Sequence, residues 1–312
     1  MTTELRPSAA PLEPPPGASY RAGARAALTS FVLAFFLVFV ASVAVVWGVA
    51  GARSWGHPGR FWAEVTGFTF SVGGLVAGGV ASGGVLGAVA FGAAALEARR
   101  DRRAPRLGVA GATAALPLTG RLGLGASRAT PLGVAAAIAG MVGLSFGASA
   151  LVALAGVHDA GVMPTMASAL HGAPALGVAG ALLGIVVAPG LAEDAFFRGW
   201  MQPRMVASWG LWPGIVATAI AFGLIHVDLV QGSLAAVAGV YLGWAAERFG
   251  GIRPTIAAHV VNNALFVALS AGGLGDLDAR ASRAWTAAIA AGGLVVLAGA
   301  IAVLRGPRAA RS

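Results

Sequence analysis

Eight apolar runs dominate the chain, near residues 27–51, 67–96, 131–156, 174–200, 210–227, 229–247, 254–271 and 284–304. Each has the roughly 18 or more residues that a helix needs to cross about 30 Å of hydrocarbon. Lipid offers a backbone no hydrogen-bond partners, so such runs fold as helices that satisfy their own N–H and C=O groups. The expectation is an all-α, polytopic integral membrane protein of about eight transmembrane helices. Composition agrees. At 57% hydrophobic and 11% charged residues, with mean hydropathy +0.80, the chain lacks the charge to cover a soluble globule.

The segments between the runs set the orientation. Residues 1–26, with PLEPPPG and scattered charge, read as a disordered cytoplasmic tail. The run at 27–51 is about twice as long as a signal-peptide core and reads as an uncleaved span. The net charge of +9 comes from arginine alone. The arginines cluster between apolar runs, which fits membrane-protein loops and argues against a nucleic-acid partner. The densest cluster, EARRDRRAPRLG after the second run, is cytoplasmic by the positive-inside rule. Both termini then lie in the cytoplasm, the basic tail 305–312 included, and VHDAGVMP, HVDLV and GDLDARASR lie outside. The partner throughout is the lipid bilayer, here a cytoplasmic (inner) membrane. The 47 glycines let helices approach closely, as in Gly239-x-x-x-Gly243. There is no cysteine, so no thiol nucleophile and no thiolate metal site.

Against this background a few polar residues stand inside the runs. An ionised side chain near the bilayer centre costs about 3 kcal/mol or more, so such groups face a protein or water-filled interior. They are Glu193, Asp194 and Arg198 in LAEDAFFRGW, His226 in AFGLIHV, and His259, Asn262 and Asn263 in AAHVVNNALF. Asp194 and Arg198 are i, i+4 and can neutralise each other, whereas Glu193 lies about 100° around the helix without that partner. His259 and Asn263 share the same spacing, as do Phe222 and His226. His57, His158 and His171 fall in loops or near helix ends.

A carboxylate in a poorly solvated cavity can act as a general base on water. An imidazole can share or relay its proton, and an amide or imidazole N–H can stabilise an oxyanion. The set is suited to hydrolysing an amide without a covalent intermediate. It resembles the CAAX prenyl protease and bacteriocin-processing (CPBP, Abi-type) intramembrane endopeptidases. Their pattern is Glu-Glu-x-x-x-Arg, aromatic-x-x-x-His and His-x-x-x-Asn, in that order on separate helices. Here it reads Glu193-Asp194 to Arg198, Phe222 to His226, and His259 to Asn263. The resemblance implies Glu193 as the base on water, helped by His226, with His259 and Asn263 lining the oxyanion site. It also implies that Arg198 supports the glutamate helix. Asp194 stands where the family usually has a second Glu.

On this reading residues 27–130 hold the N-terminal helices and the basic loop, and 131–304 form a CPBP-like catalytic membrane domain with a cavity open to the cytoplasm. The substrate is a peptide or membrane protein. The family name points to prenylated C-terminal peptides, but an arginine-only basic composition points to a GC-rich bacterial genome, where protein prenylation is not the default. No cofactor is expected. A divalent metal such as zinc would take Glu193, His226 and His259 as ligands, but the His-Glu-x-x-His arrangement is absent. Two other readings use the same buried residues: a proton-coupled transporter and a non-catalytic membrane scaffold.

Overall fold

The computed structural model describes residues 23–103, 116–275 and 281–306. Most of the expected N-terminal tail, part of the basic loop and most of the C-terminal tail lie outside these residues. Among the described residues every regular element is a helix. They are α1 (Ala24–Arg53), α2 (Phe61–Thr69), α3 (Val72–Arg103), α4 (Leu118–Arg121), α5 (Pro131–Leu154), α6 (Met163–Leu170), α7 (Ala175–Trp209), α8 (Leu211–Leu224), α9 (Leu229–Phe249), α10 (Arg253–Ala271) and α11 (Arg283–Arg305).

Seven of these, α1, α3, α5, α7, α9, α10 and α11, are long and apolar enough to cross a membrane. The eighth expected span, 210–227, is present only as α8, whose 14 residues reach about 21 Å at 1.5 Å each. That falls short of a hydrocarbon core. The run also stops early for a local reason: α8 ends at Leu224, and Val227, a β-branched residue, sits at φ 53°, where L-residues other than glycine are strained.

The opposite correction applies to α7. The apolar run suggests a span ending near residue 200, with RGWMQPRM as a loop, yet the helix continues to Trp209. Two prolines, Pro189 and Pro203, lie inside it. A proline in a helix interior lacks its N–H and collides with the carbonyl four residues back. Each is preceded by a π-helical stretch, Leu182–Val187 and Ala195–Met201, whose wider turn makes room for the ring. A helix of 35 residues thereby survives two breakers.

Contacts between segment ends show how the helices alternate. At one end Ser208 Oγ accepts from the Ala24 N–H at 3.0 Å, the Phe249 carbonyl from the Arg128 N–H at 2.8 Å, and the Gly123 carbonyl from the Ile252 N–H at 2.9 Å. At the other end the Ala271 carbonyl accepts from the Gly172 N–H at 3.3 Å, and Asp228 Oδ2 from the Val162 N–H at 3.0 Å. The first end carries Arg25, Arg99, Arg100, Arg121, Arg128, Arg204, Arg248, Arg253 and Arg305. The second carries Arg53, Arg60 and Arg283 against Glu64, Asp159 and Asp228. We refer to them as the arginine-rich and arginine-poor ends.

Small residues set the helix spacing. Gly239 and Gly243 of α9 face Ala219 and Ile215 of α8, and a Cβ at either would press on α8 or on Gln202. Gly143 of α5 and Gly293 of α11 meet so closely that a Cβ on Gly293 would overlap the Gly143 carbonyl. Here the obstacle is backbone, which cannot rotate away. Gly293→Val is therefore expected to cost about 1–3 kcal/mol, as overpacked cores do. A thermal unfolding curve of the purified protein in detergent measures this, and an unchanged midpoint would contradict the close approach.

Candidate active site

The ionisable residues of α7 lie where that helix crosses α8 and α10. Asp194 is 0% exposed and Arg198 3%, and Arg198 Nη1 donates to Asp194 Oδ1 at 3.0 Å. Two charges in a lipid-surrounded interior persist only if they neutralise each other there. Asp194 Oδ1 also faces His259 Nδ1 of α10 at 3.4 Å, while the Arg198 guanidinium lies 4.1 Å from the centroid of the Phe222 ring on α8. The pair thus binds three helices together through a carboxylate, a guanidinium and a cation–π contact. The shorter Asp194 in place of the family's second Glu reaches both partners.

Glu193 points to the other side of α7. It is 8% exposed, and its Oε2 lies 3.7 Å from His259 Nε2. His259 stands between two carboxylates, Nδ1 toward Asp194 and Nε2 toward Glu193. Phe222 packs edge-on against both histidines, with ring centroids 5.2 Å from His226 and 5.8 Å from His259. His226 itself touches neither carboxylate. Its Nδ1–H donates to the Phe222 carbonyl at 2.9 Å; a carbonyl can only accept, so this contact fixes the tautomer and leaves Nε2 as an acceptor.

His226 follows Phe222 by four residues and Asn263 follows His259 by four, so both stand one helical turn, about 6 Å, nearer the arginine-poor end. The depth mismatch that span counting gives between Glu193 and His226 disappears, because α7 continues to Trp209, beyond the expected span end near 200, and α8 starts beside it at Leu211. Asn262 Nδ2 donates to Asn263 Oδ1 at 3.4 Å, a long contact that turns the Asn263 NH2 away from its neighbour.

Glu193, Phe222, His226, His259, Asn262 and Asn263 all line one cavity of about 590 Å3. Its remaining walls come from Met141, Ser145, Ser149, Met163, Met166, Gln231, Leu274 and Trp285, among others. These lie from mid-bundle to the arginine-poor end. On the other side of the Glu193–His259 layer the interior is closed by Phe196, Phe197, Arg198, Trp200 and Gln202, each 3% exposed or less. The cavity therefore leads away from the arginine-rich end.

Among the described residues no three His, Asp or Glu side chains stand close enough together to hold a metal ion. Glu193 and His259 converge, but His226 does not join them, so the three-ligand zinc set considered from the sequence is not assembled.

Sequence reasoning also missed a second polar layer nearer the arginine-rich end. Arg204 Nη2 donates to Glu97 Oε2 at 2.6 Å, and its guanidinium stacks 3.3 Å from the Trp200 ring centroid. Arg121 Nη2 donates to Asp101 at 2.7 Å. Gln202 Nε2 donates to Glu247 at 2.8 Å and to the Gly243 carbonyl at 3.0 Å. These partners lie 41 or more residues apart except within α7 and between Asp101 and Arg121, so spacing along the chain gave no signal for them.

Removing Asp194 alone strands a buried guanidinium. Asp194→Ala is expected to cost about 3–5 kcal/mol of stability. Asp194→Asn with Arg198→Gln, which removes both charges, recovers most of that loss. Unfolding in detergent measures both, and losses that simply add would show the pair to be energetically idle.

Residues 175–265 match the family model described as type II CAAX prenyl endopeptidase Rce1-like. The match takes in all three motifs, from Glu193 to Asn263. No curated protein and no solved structure matches the chain. With the three motifs on α7, α8 and α10 and the family model matched across them, residues 175–265, under a third of the chain, are similar to the type II CAAX prenyl endopeptidases.

Proposed function

We propose that the protein is an intramembrane endopeptidase in which Glu193 activates a water molecule for attack on a peptide carbonyl. The observation that carries this reading is the meeting of Glu193 and His259 at 3.7 Å on the wall of a cavity inside the helix bundle. Both are nearly buried, yet both face space large enough for a peptide. A structural ion pair would instead be enclosed on all sides, as Asp194 and Arg198 are.

The roles follow from donors and acceptors. Water bound between Glu193 and the acceptor Nε2 of His226 loses a proton to the Glu193 carboxylate as its oxygen adds to the carbonyl carbon. The oxyanion that forms accepts from the Asn263 NH2, which no acceptor among the described residues ties down. His259, held at Nδ1 by Asp194, passes a proton from Glu193 to the leaving amine as the C–N bond breaks. Asp194 and Arg198 keep the histidine and the glutamate helix in register and touch no reacting atom. The separations of 3.4 and 3.7 Å are longer than good hydrogen bonds, as resting catalytic contacts often are before substrate binds.

Glu193→Gln keeps the shape of the side chain and removes the base. It is expected to lower cleavage about 100- to 10,000-fold, with unfolding behaviour unchanged. The measurement is mass spectrometry of a mixed peptide and membrane-protein pool incubated with either purified protein. Full activity in Glu193→Gln would sink the mechanism. A loss of transport in sealed vesicles, with no cleavage by the unmodified protein, would favour the transporter reading.

A further inference from the structure

Resting on that reading, we infer that the site is entered from the arginine-poor end, the extracytoplasmic side of the membrane, and that its substrate is an uncharged, apolar peptide segment presented there. Three observations combine. The first is direction. The Glu193–His259 layer has a closed floor of Phe197, Arg198, Trp200 and Gln202 toward the arginine-rich end. The cavity instead continues past His226 and Asn263 to Met166, Gln231 and Trp285, of which Trp285 is 63% exposed.

The second is orientation. Arginine concentrates at the closed end, and the positive-inside rule assigns that end to the cytoplasm. A chain that keeps its basic loops inside therefore turns the open mouth of the cavity outward. A cytosolic peptide would have to pass the buried Arg198 and Phe222 to reach Glu193.

The third is chemistry. Of the described residues lining the cavity, only Glu193, His226 and His259 are ionisable, and all three belong to the proposed reaction. A charged substrate side chain would lose its hydration with no partner in return. Leucines and other aliphatic residues supply most of the rest of the wall, joined by aromatic rings and by Met141, Met163 and Met166, whose flexible thioethers accommodate varied apolar shapes. Ser145 on α5 and Gln231 on α9 add a hydroxyl and an amide to the lining, which suits the main chain of an extended peptide. A volume of about 590 Å3 is ordinary for a site that encloses a small ligand or a short peptide.

The chain contains no cysteine, so single cysteines can be read without background. Met166→Cys and Gln231→Cys report on the cavity and Ala126→Cys on the arginine-rich end, each probed with a membrane-impermeant maleimide in intact spheroplasts and in inverted vesicles. Met166→Cys and Gln231→Cys are expected to react in spheroplasts, and Ala126→Cys only in inverted vesicles. A blocked alanine/leucine peptide should slow labelling of Gln231→Cys, whereas the same peptide with lysines at its centre should not.

Reaction of Met166→Cys and Gln231→Cys only in inverted vesicles, or from neither side, overturns the access route. Equal protection by both peptides overturns the substrate class. Labelling does not depend on catalysis and is repeated with Glu193→Gln. An inactive protein with outward-facing labels therefore refutes the protease reading alone, and an active one with inward-facing labels refutes the access route alone.

Discussion

A buried charge pair organises this bundle. Asp194 and Arg198 are enclosed at 3.0 Å in a protein whose surroundings are hydrocarbon, and neither can be left alone. Neutralisation fixes the rotation of α7, and that rotation turns Glu193 to the cavity. The same carboxylate reaches His259 and the same guanidinium covers Phe222, so the three helices that carry the family motifs are brought to one point by two side chains. Phe222 then sets both histidine rings edge-on. What looks like an arrangement for chemistry is first an arrangement for keeping two charges out of lipid.

Much of this was legible in the sequence. Run length and composition point to an all-helical membrane protein, and the rarity of ionisable residues within apolar runs singled out Glu193, His226 and His259 before any geometry. What escaped depends on the backbone. Hydropathy ends the fourth run near residue 200 because Arg198, Gln202, Pro203 and Arg204 look like a loop. In the fold Arg198 pairs with Asp194, Gln202 with Glu247 and Arg204 with Glu97, so polar residues continue the helix instead of ending it. The π-helical turns before Pro189 and Pro203 have no sequence signature beyond the prolines they relieve. The direction of the cavity was equally hidden, since it depends on which side of the Glu193–His259 layer is filled with aromatic rings.

The second polar layer explains why that side is filled. Glu97, Arg204, Arg121 and Asp101 tie the ends of α3, α4 and α7 together, and Gln202 fastens α7 to α9. Their long side chains and the Trp200 ring occupy the space beneath the motif residues. The bundle is therefore polar but tightly closed at one end and apolar but open at the other, a division that composition averaged over the whole chain conceals.

The shortness of α8 reaches beyond the protein. Trp212, Val216, Ile220 and Leu224 form an i, i+4 stripe along it, each 42–58% exposed, so this helix faces lipid for about 21 Å, well under the thickness of the hydrocarbon core. A bilayer meeting a hydrophobic surface that short thins locally to match it. The thinned zone borders the turn that carries His226, so headgroups and their hydration are drawn inward at that flank. Membrane deformation in this way brings the aqueous phase toward the proposed site, which is otherwise sheathed in acyl chains.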